Sequence, residues 1–149
     1  MSNLKCLTRI ELLDLNLDKA EAEHLLDEAC STLCEQLRHL TLINVTKTQF
    51  GILHPICFVN LQTLKISPQN LSEEVVELLA NNERFRELHL IQSKHTECPV
   101  KSIDHRIWRR VAQRYKVYLR YLTLNRKKYG NNDFNLQKQI PFFQHNWQD

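Results

Sequence analysis

Three short stretches of the chain share one apolar pattern. "LRHLTL" at 37–42, "LQTLKI" at 61–66 and "FRELHL" at 85–90 each place a large apolar residue, a second three positions on, and a third two after that. The interval is 24 residues both times. In the x-L-x-L part, alternate side chains face opposite sides, which is the period of a strand with one buried face. Two further segments carry the same offsets. Leu7, Ile10 and Leu12 lie 30 residues before Leu37, Leu40 and Leu42, while Val117 and Leu119 lie 29 after Leu88 and Leu90. The pattern predicts five strands, containing residues 10–12, 40–42, 64–66, 88–90 and 117–119.

Between the strands the period changes to that of a helix. In "LDKAEAEHLLDEACSTL", Asp18 and Glu21 form a capping-box pair, and Ala22, Leu25, Leu26, Ala29 and Leu33 make one apolar face. In "NLSEEVVELLANN", Leu71, Val75, Leu78 and Leu79 form the stripe. Asn70 or Ser72 can cap it, and Asn81-Asn82 can close it. In "DHRIWRRVAQRY", Ile107, Trp108, Val111 and Tyr115 share a face, with Asp104 as cap. Helices are therefore expected over 19–33, 71–80 and 105–114. The segment "VTKTQFGILHPICFVN" carries Gly51 and Pro55, so irregular or 3₁₀ structure is expected there, packed through Phe50, Leu53, Ile56 and Phe58.

A strand plus a return segment at a period of 20–29 residues is the signature of leucine-rich repeats. The expected fold is an α/β leucine-rich-repeat solenoid, a short open horseshoe with parallel strands inside and helices outside. It would occupy residues 1–124, with 125–149 a polar, poorly ordered tail in which Phe142, Phe143 or Trp147 docks weakly. Such units bury their leucines only by stacking.

Composition narrows the function classes. Two glycines in 149 residues leave no room for a Gly-rich phosphate loop, and no P-loop, GxGxxG, GxSxG or HExxH motif is present. No apolar run reaches the roughly 20 residues a membrane helix needs, so no membrane partner is expected. The N-terminal stretch lacks the pattern of a secretory signal. The five cysteines, Cys6, Cys30, Cys34, Cys57 and Cys98, then read as reduced thiols of the cytoplasm or nucleus. Cys30 and Cys34 have a metal-compatible helical spacing with His24 and His39 near in sequence. The paired Cys spacings of zinc sites are missing, so no metal, no other cofactor and no enzyme activity are expected.

The formal net charge of +3 hides a split. Residues 1–100 hold 9 basic against 14 acidic side chains, whereas 101–128 hold 10 basic against one acidic. The basic set is Lys101, Arg106, Arg109, Arg110, Arg114, Lys116, Arg120, Arg126, Lys127 and Lys128, interleaved with tyrosines. Three readings fit it: a solvated outer helix face first, then contact with an acidic protein, then single-stranded nucleic acid, which is the least favoured.

The stretches "LRHLTLINVT" at 37–46, "NLQTLKISPQNLSEEVVELLA" at 60–80 and "FRELHLIQS" at 85–93 resemble the leucine-rich repeats of F-box proteins, the substrate receptors of cullin-RING ubiquitin ligases. They are similar to the F-box-only subgroup with a short, irregular repeat array. Trp108 followed by "KVYL" at 116–119 is similar to that subgroup's closing unit. Two features depart from the family. The F-box has no counterpart, and a Pro common before the last strand is replaced by Arg114-Tyr115. The resemblance therefore implies the substrate-reading half, in ubiquitin-dependent protein degradation, with an unidentified protein as partner. A Skp-type adaptor and cullin are expected only if an F-box is supplied upstream. The alternative is a stand-alone leucine-rich-repeat protein that scaffolds protein or RNA without any link to ubiquitin.

Residues between the buried leucines should project from one face in rows. These are His39 and Thr41, Thr63 and Lys65, Glu87 and His89, then Lys116, Tyr118 and Arg120. They are the candidate binding residues. Tyr118 and Arg120 are the expected anchors, since Tyr and Arg are favoured at energetic centres of interfaces.

Overall fold

The buried triplet Leu37, Leu40 and Leu42 sits at the centre of an α/β fold built on one parallel sheet. The computed structural model describes residues 6–92, 103–121 and 144–147, with backbone alone for Arg120, Tyr121 and 144–147. Six strands run in chain order: β1 (Arg9–Leu13), β2 (His39–Ile43), β3 (Thr63–Ile66), β4 (Glu87–Gln92), β5 (Lys116–Tyr121) and β6 (Gln144–Trp147). Every neighbouring pair is parallel. Parallel neighbours need a crossover, and the return segments supply it. They carry α1 (Lys19–Leu33), a 3₁₀ turn (His54–Cys57), α2 (Glu73–Leu79) and α3 (His105–Val111). These returns contact one another in the same order as the strands they follow, forming a second layer over the sheet.

The register is that of the apolar triplets. Ile10, Leu40, Leu64, Leu88 and Val117 are direct cross-strand partners, and so are Leu12, Leu42, Ile66, Leu90 and Leu119. Leu64, Ile66 and Leu88 are wholly buried. A repeated hydrogen-bond device starts β2, β3 and β4. The Thr8 carbonyl accepts from the Arg38 and His39 amides at 2.8 and 3.0 Å. The Arg38 carbonyl takes Gln62 and Thr63 at 2.7 and 3.1 Å, and the Gln62 carbonyl takes Arg86 and Glu87 at 2.8 and 3.1 Å. Each return thus delivers its strand at the same height against the last.

The helices begin where their caps stand. Asp18 accepts from the Glu21 amide at 2.8 Å while Glu21 reaches back to the Asp18 amide at 3.1 Å, completing the capping box. Ser72, not Asn70, caps α2, and Asp104 caps α3. Asn70 has a different task. It is fully buried, and its amide donates to Thr46 Oγ1 at 2.6 Å and to the Phe50 carbonyl at 3.0 Å. Gln69 donates to the Thr46 carbonyl at 2.8 Å. This network holds the helix-poor return after β2, where backbone groups need partners that a ladder does not provide.

Three expectations are corrected. In the return after β2, Leu53 and Ile56 are exposed, while Ile52, Pro55 and Phe58 are buried. The turn is 3₁₀, so a period of three puts 52, 55 and 58 inward and 53, 56 and 59 outward. In α2, Val76 joins the core and Leu78 sits at its margin, because the helix starts at Glu73 and turns that face inward. Third, α2 and α3 are shorter than expected, ending at Leu79 and Val111.

Tyr115 does not belong with the exposed basic–aromatic set. Its ring meets Phe85 edge-on at 4.9 Å and its hydroxyl donates to the Val76 carbonyl at 2.7 Å. Burial pushes its phenol pKa far above the usual tyrosine value. The four residues of β6 fall inside the segment read as a tail and add a strand beside β5. Residues 125–143, with Phe142 and Phe143, and also Cys98, Lys101, Arg126, Lys127 and Lys128, lie outside the described residues.

Candidate functional site

One sheet face is covered by the return segments. On the other, alternate strand residues align in two rows. The first consists of Arg9, His39, Thr63, Glu87 and Lys116. The second consists of Glu11, Thr41, Lys65, His89 and Tyr118. Neighbours within a row stand about 4.8 Å apart along the sheet, the interstrand spacing. Eight of the nine candidate residues fall in these two rows. The ninth, Arg120, pairs with Ile91 at the next position, where the described neighbours Ile43 and Ile91 are buried.

The two rows differ in depth. Arg9 and Lys116 are exposed, and His39, Thr63 and Glu87 are half-buried. In the second row, Thr41 and His89 are only 6% and 7% exposed, so these two candidate binding residues are buried although they project from the expected face. For His89 the cause is its neighbours. The Tyr118 ring stacks on the imidazole with centroids 4.6 Å apart and planes 14° apart, and Glu87 Oε2 approaches His89 Nε2 at 3.7 Å. A large planar side chain on the adjacent strand covers a smaller one.

His39 is held below the usual histidine range. Desolvation by partial burial is the largest cause, followed by repulsion from Arg9, Lys65 and Arg38, against which the Glu87 carboxylate pulls upward. The first row therefore keeps a neutral imidazole between cations at neutral pH.

A groove of about 720 Å³ at the strand beginnings is lined by His39, Thr63, Glu87 and Lys116 together with Arg86 and Arg114. Its lining mixes both signs of charge with polar and apolar surface, which suits a polypeptide surface more than a buried small molecule. Sequence reasoning missed Arg9, Glu11, Gln62 and Arg86. The signal was present: Arg9 and Glu11 stand 30 residues before His39 and Thr41, and Gln62 and Arg86 stand 24 apart, each just ahead of a first-row residue.

The basic segment is divided between two surfaces. Arg106, Arg109 and Arg110 are exposed on α3, with Arg106 paired to Asp104 at 2.9 Å and Arg110 paired to Glu77 of α2. Lys116 and Arg114 belong instead to the groove. His24 pairs with Glu28 on the solvent side of α1, and His39 is on the sheet, so neither joins Cys30 and Cys34. Among the described residues no set of His, Cys, Asp or Glu is arranged to hold a metal ion, and no helix is long and apolar enough to cross a membrane. Comparison with protein-family models, with curated proteins and with solved structures finds no match to this chain.

Proposed function

We propose that this chain is a leucine-rich-repeat solenoid that binds a protein through its open sheet face, as the substrate-reading half of a ubiquitin-ligase receptor. The observation that carries the reading is the pair of rows in register, with Tyr118 laid over His89. Five strands present chemically varied side chains at equal spacing on a rigid frame. The aromatic ring near one end is already held by a neighbour, which lowers the entropy lost on binding.

The repeat assignment is supported by the 24-residue interval, the sequential parallel order and the carbonyl that accepts two amides at the start of successive strands. The link to ubiquitin is supported by the resemblance of residues 37–46, 60–80 and 85–93 to F-box protein repeats. The mixed charge of both rows supports a protein partner over nucleic acid, because a phosphate backbone favours a uniformly basic track.

A gain-of-function experiment separates the reading from its rival. The chain is fused behind an F-box and expressed in cells, and the proteins it captures are followed after translation is stopped. A substrate reader shortens the half-life of its captured partner when the F-box is present, and proteasome inhibition restores it. Capture with an unchanged half-life assigns the chain to stand-alone scaffolding.

A further inference from the structure

The last two turns of α1 run alongside residues 54–60. His54 Nε2 meets Asp27 Oδ1 at 2.8 Å, and the Cys30 thiol donates to the His54 carbonyl at 3.8 Å. The Val59 amide donates to the Cys34 carbonyl at 3.0 Å, and the Asn60 side chain donates to the Glu35 carbonyl at 2.5 Å. These ties fix the two segments residue against residue. Cys57 falls between them, one 3₁₀ turn after His54 and therefore on the same side of the turn. Its thiol lies close enough to that of Cys30 to disfavour ionisation there. Cys30 is half-buried and Cys57 exposed. Neither thiol has a task in the sheet face.

We propose that Cys30 and Cys57 are a redox pair that closes to a reversible disulfide when the chain meets a peroxide, joining the first return segment to the second. The steps differ for the two sulfurs. The Cys30 thiol is pushed up to about 12 by burial first and by Cys57 next, so it stays protonated at neutral pH. Cys57, facing solvent, is the one that attacks. Its thiolate takes one oxygen from hydrogen peroxide, the O–O bond breaks, and with one proton the other oxygen leaves as water, giving a sulfenic acid. The Cys30 sulfur then attacks the Cys57 sulfur. The S–S bond forms, the S–O bond breaks, and the Cys30 proton leaves with the hydroxyl as a second water. In sum, two thiols and one peroxide give one disulfide and two waters, and a dithiol reductant reverses it. Cys34 also lies close enough to repel charge on Cys30, but acts on it less strongly than Cys57 does.

The test is peptide mapping of the full reduced chain after stoichiometric hydrogen peroxide, without reduction. The expected product has lost two hydrogens and links the Cys30 peptide to the Cys57 peptide. Dithiothreitol restores the starting mass, and the oxidised chain unfolds at higher urea than the reduced one. Cys34→Ser keeps the link. Cys30→Ser leaves Cys57 as a sulfenic acid that dimedone traps. Cys57→Ser, a change at an exposed site, leaves Cys30 unmodified at the same dose. A wild-type chain that links Cys57 to Cys34, Cys6 or Cys98, or that carries oxidised Cys57 with no link, overturns the proposal.

Discussion

The imidazole of His89 and the ring of Tyr118, 29 residues apart in the chain, lie nearly parallel at 4.6 Å on adjacent strands. The contact joins β4 and β5 on the open face, where none of the described return segments covers them. A stacked pair of this kind contributes about 0.5–1.5 kcal/mol beyond the area it buries. Tyr118→Ala should therefore lower the urea-unfolding free energy modestly, by about 1 kcal/mol. Tyr118→Phe, which keeps the ring, should lose almost none of it.

Leu88 is wholly buried and lies between Leu64 and Val117 in the first apolar row. Leu88→Ala leaves a cavity bounded by strands on both sides, which cannot collapse without moving the sheet. Urea unfolding should show a loss of about 2–5 kcal/mol. Wild-type stability would place Leu88 outside the core and contradict the register.

These two residues show how far the sequence could be read. Leu88 was legible because the same apolar offsets recur in strand after strand, and a period of two can put them only on one side of a strand. The first helix was legible to its ends through Asp18 and Glu21, whose chemistry marks a start regardless of what packs on it. His89 and Thr41 were assigned to the correct face, but their depth was not legible. Depth depends on which side chain the next strand sets beside them, and for His89 the ring of Tyr118 decides it. The inversion of Ile52 and Leu53 has a similar origin. Three-residue and four-residue periods share most of their apolar matches over so short a segment. Asn70 reads as a helix cap in sequence because the groups it satisfies, Thr46 and Phe50, come from the preceding return.

Gly51 and Ser72 form a close pair between two return segments. A Cβ on residue 51 would stand 2.7 Å from Ser72 Cβ, inside any tolerable contact. Gly51→Ala should cost about 1–3 kcal/mol through overpacking. Ser72→Gly removes the obstructing atom and, as a glycine N-cap, should cost only a few tenths of a kcal/mol, about 0.3. The double variant should then be more stable than Gly51→Ala alone, a coupling that a double-mutant cycle by urea unfolding measures directly. Strict additivity would contradict the contact.

His39 gives the first row a pH signature. Its folded pKa lies below the ordinary histidine value of about 6.5, so the unfolded chain takes up the proton first as pH falls. The contribution of His39 to stability is present above that value and is lost on acidification through the folded pKa. An NMR titration of the imidazole should move in opposite directions in two variants. Lys65→Gln removes a repelling cation and raises the pKa, while Glu87→Gln removes the attracting carboxylate and lowers it further. Identical titrations in wild type and both variants would mean that the rows do not place these groups side by side.

On the proposed reading the partner sits on the open sheet face, across the row that contains Thr63 and Lys116. It is tested most directly by photo-crosslinking in cells, with a benzophenone amino acid at one position at a time. Positions 63 and 116 lie on that face, at the groove. Positions 28 and 74 are exposed on α1 and α2, on the opposite side of the molecule. A covalent adduct of the same mass is expected from 63 and from 116, and none from 28 or 74. Adducts from 28 and 74 with none from 63 and 116 would put the partner on the helical side and contradict it.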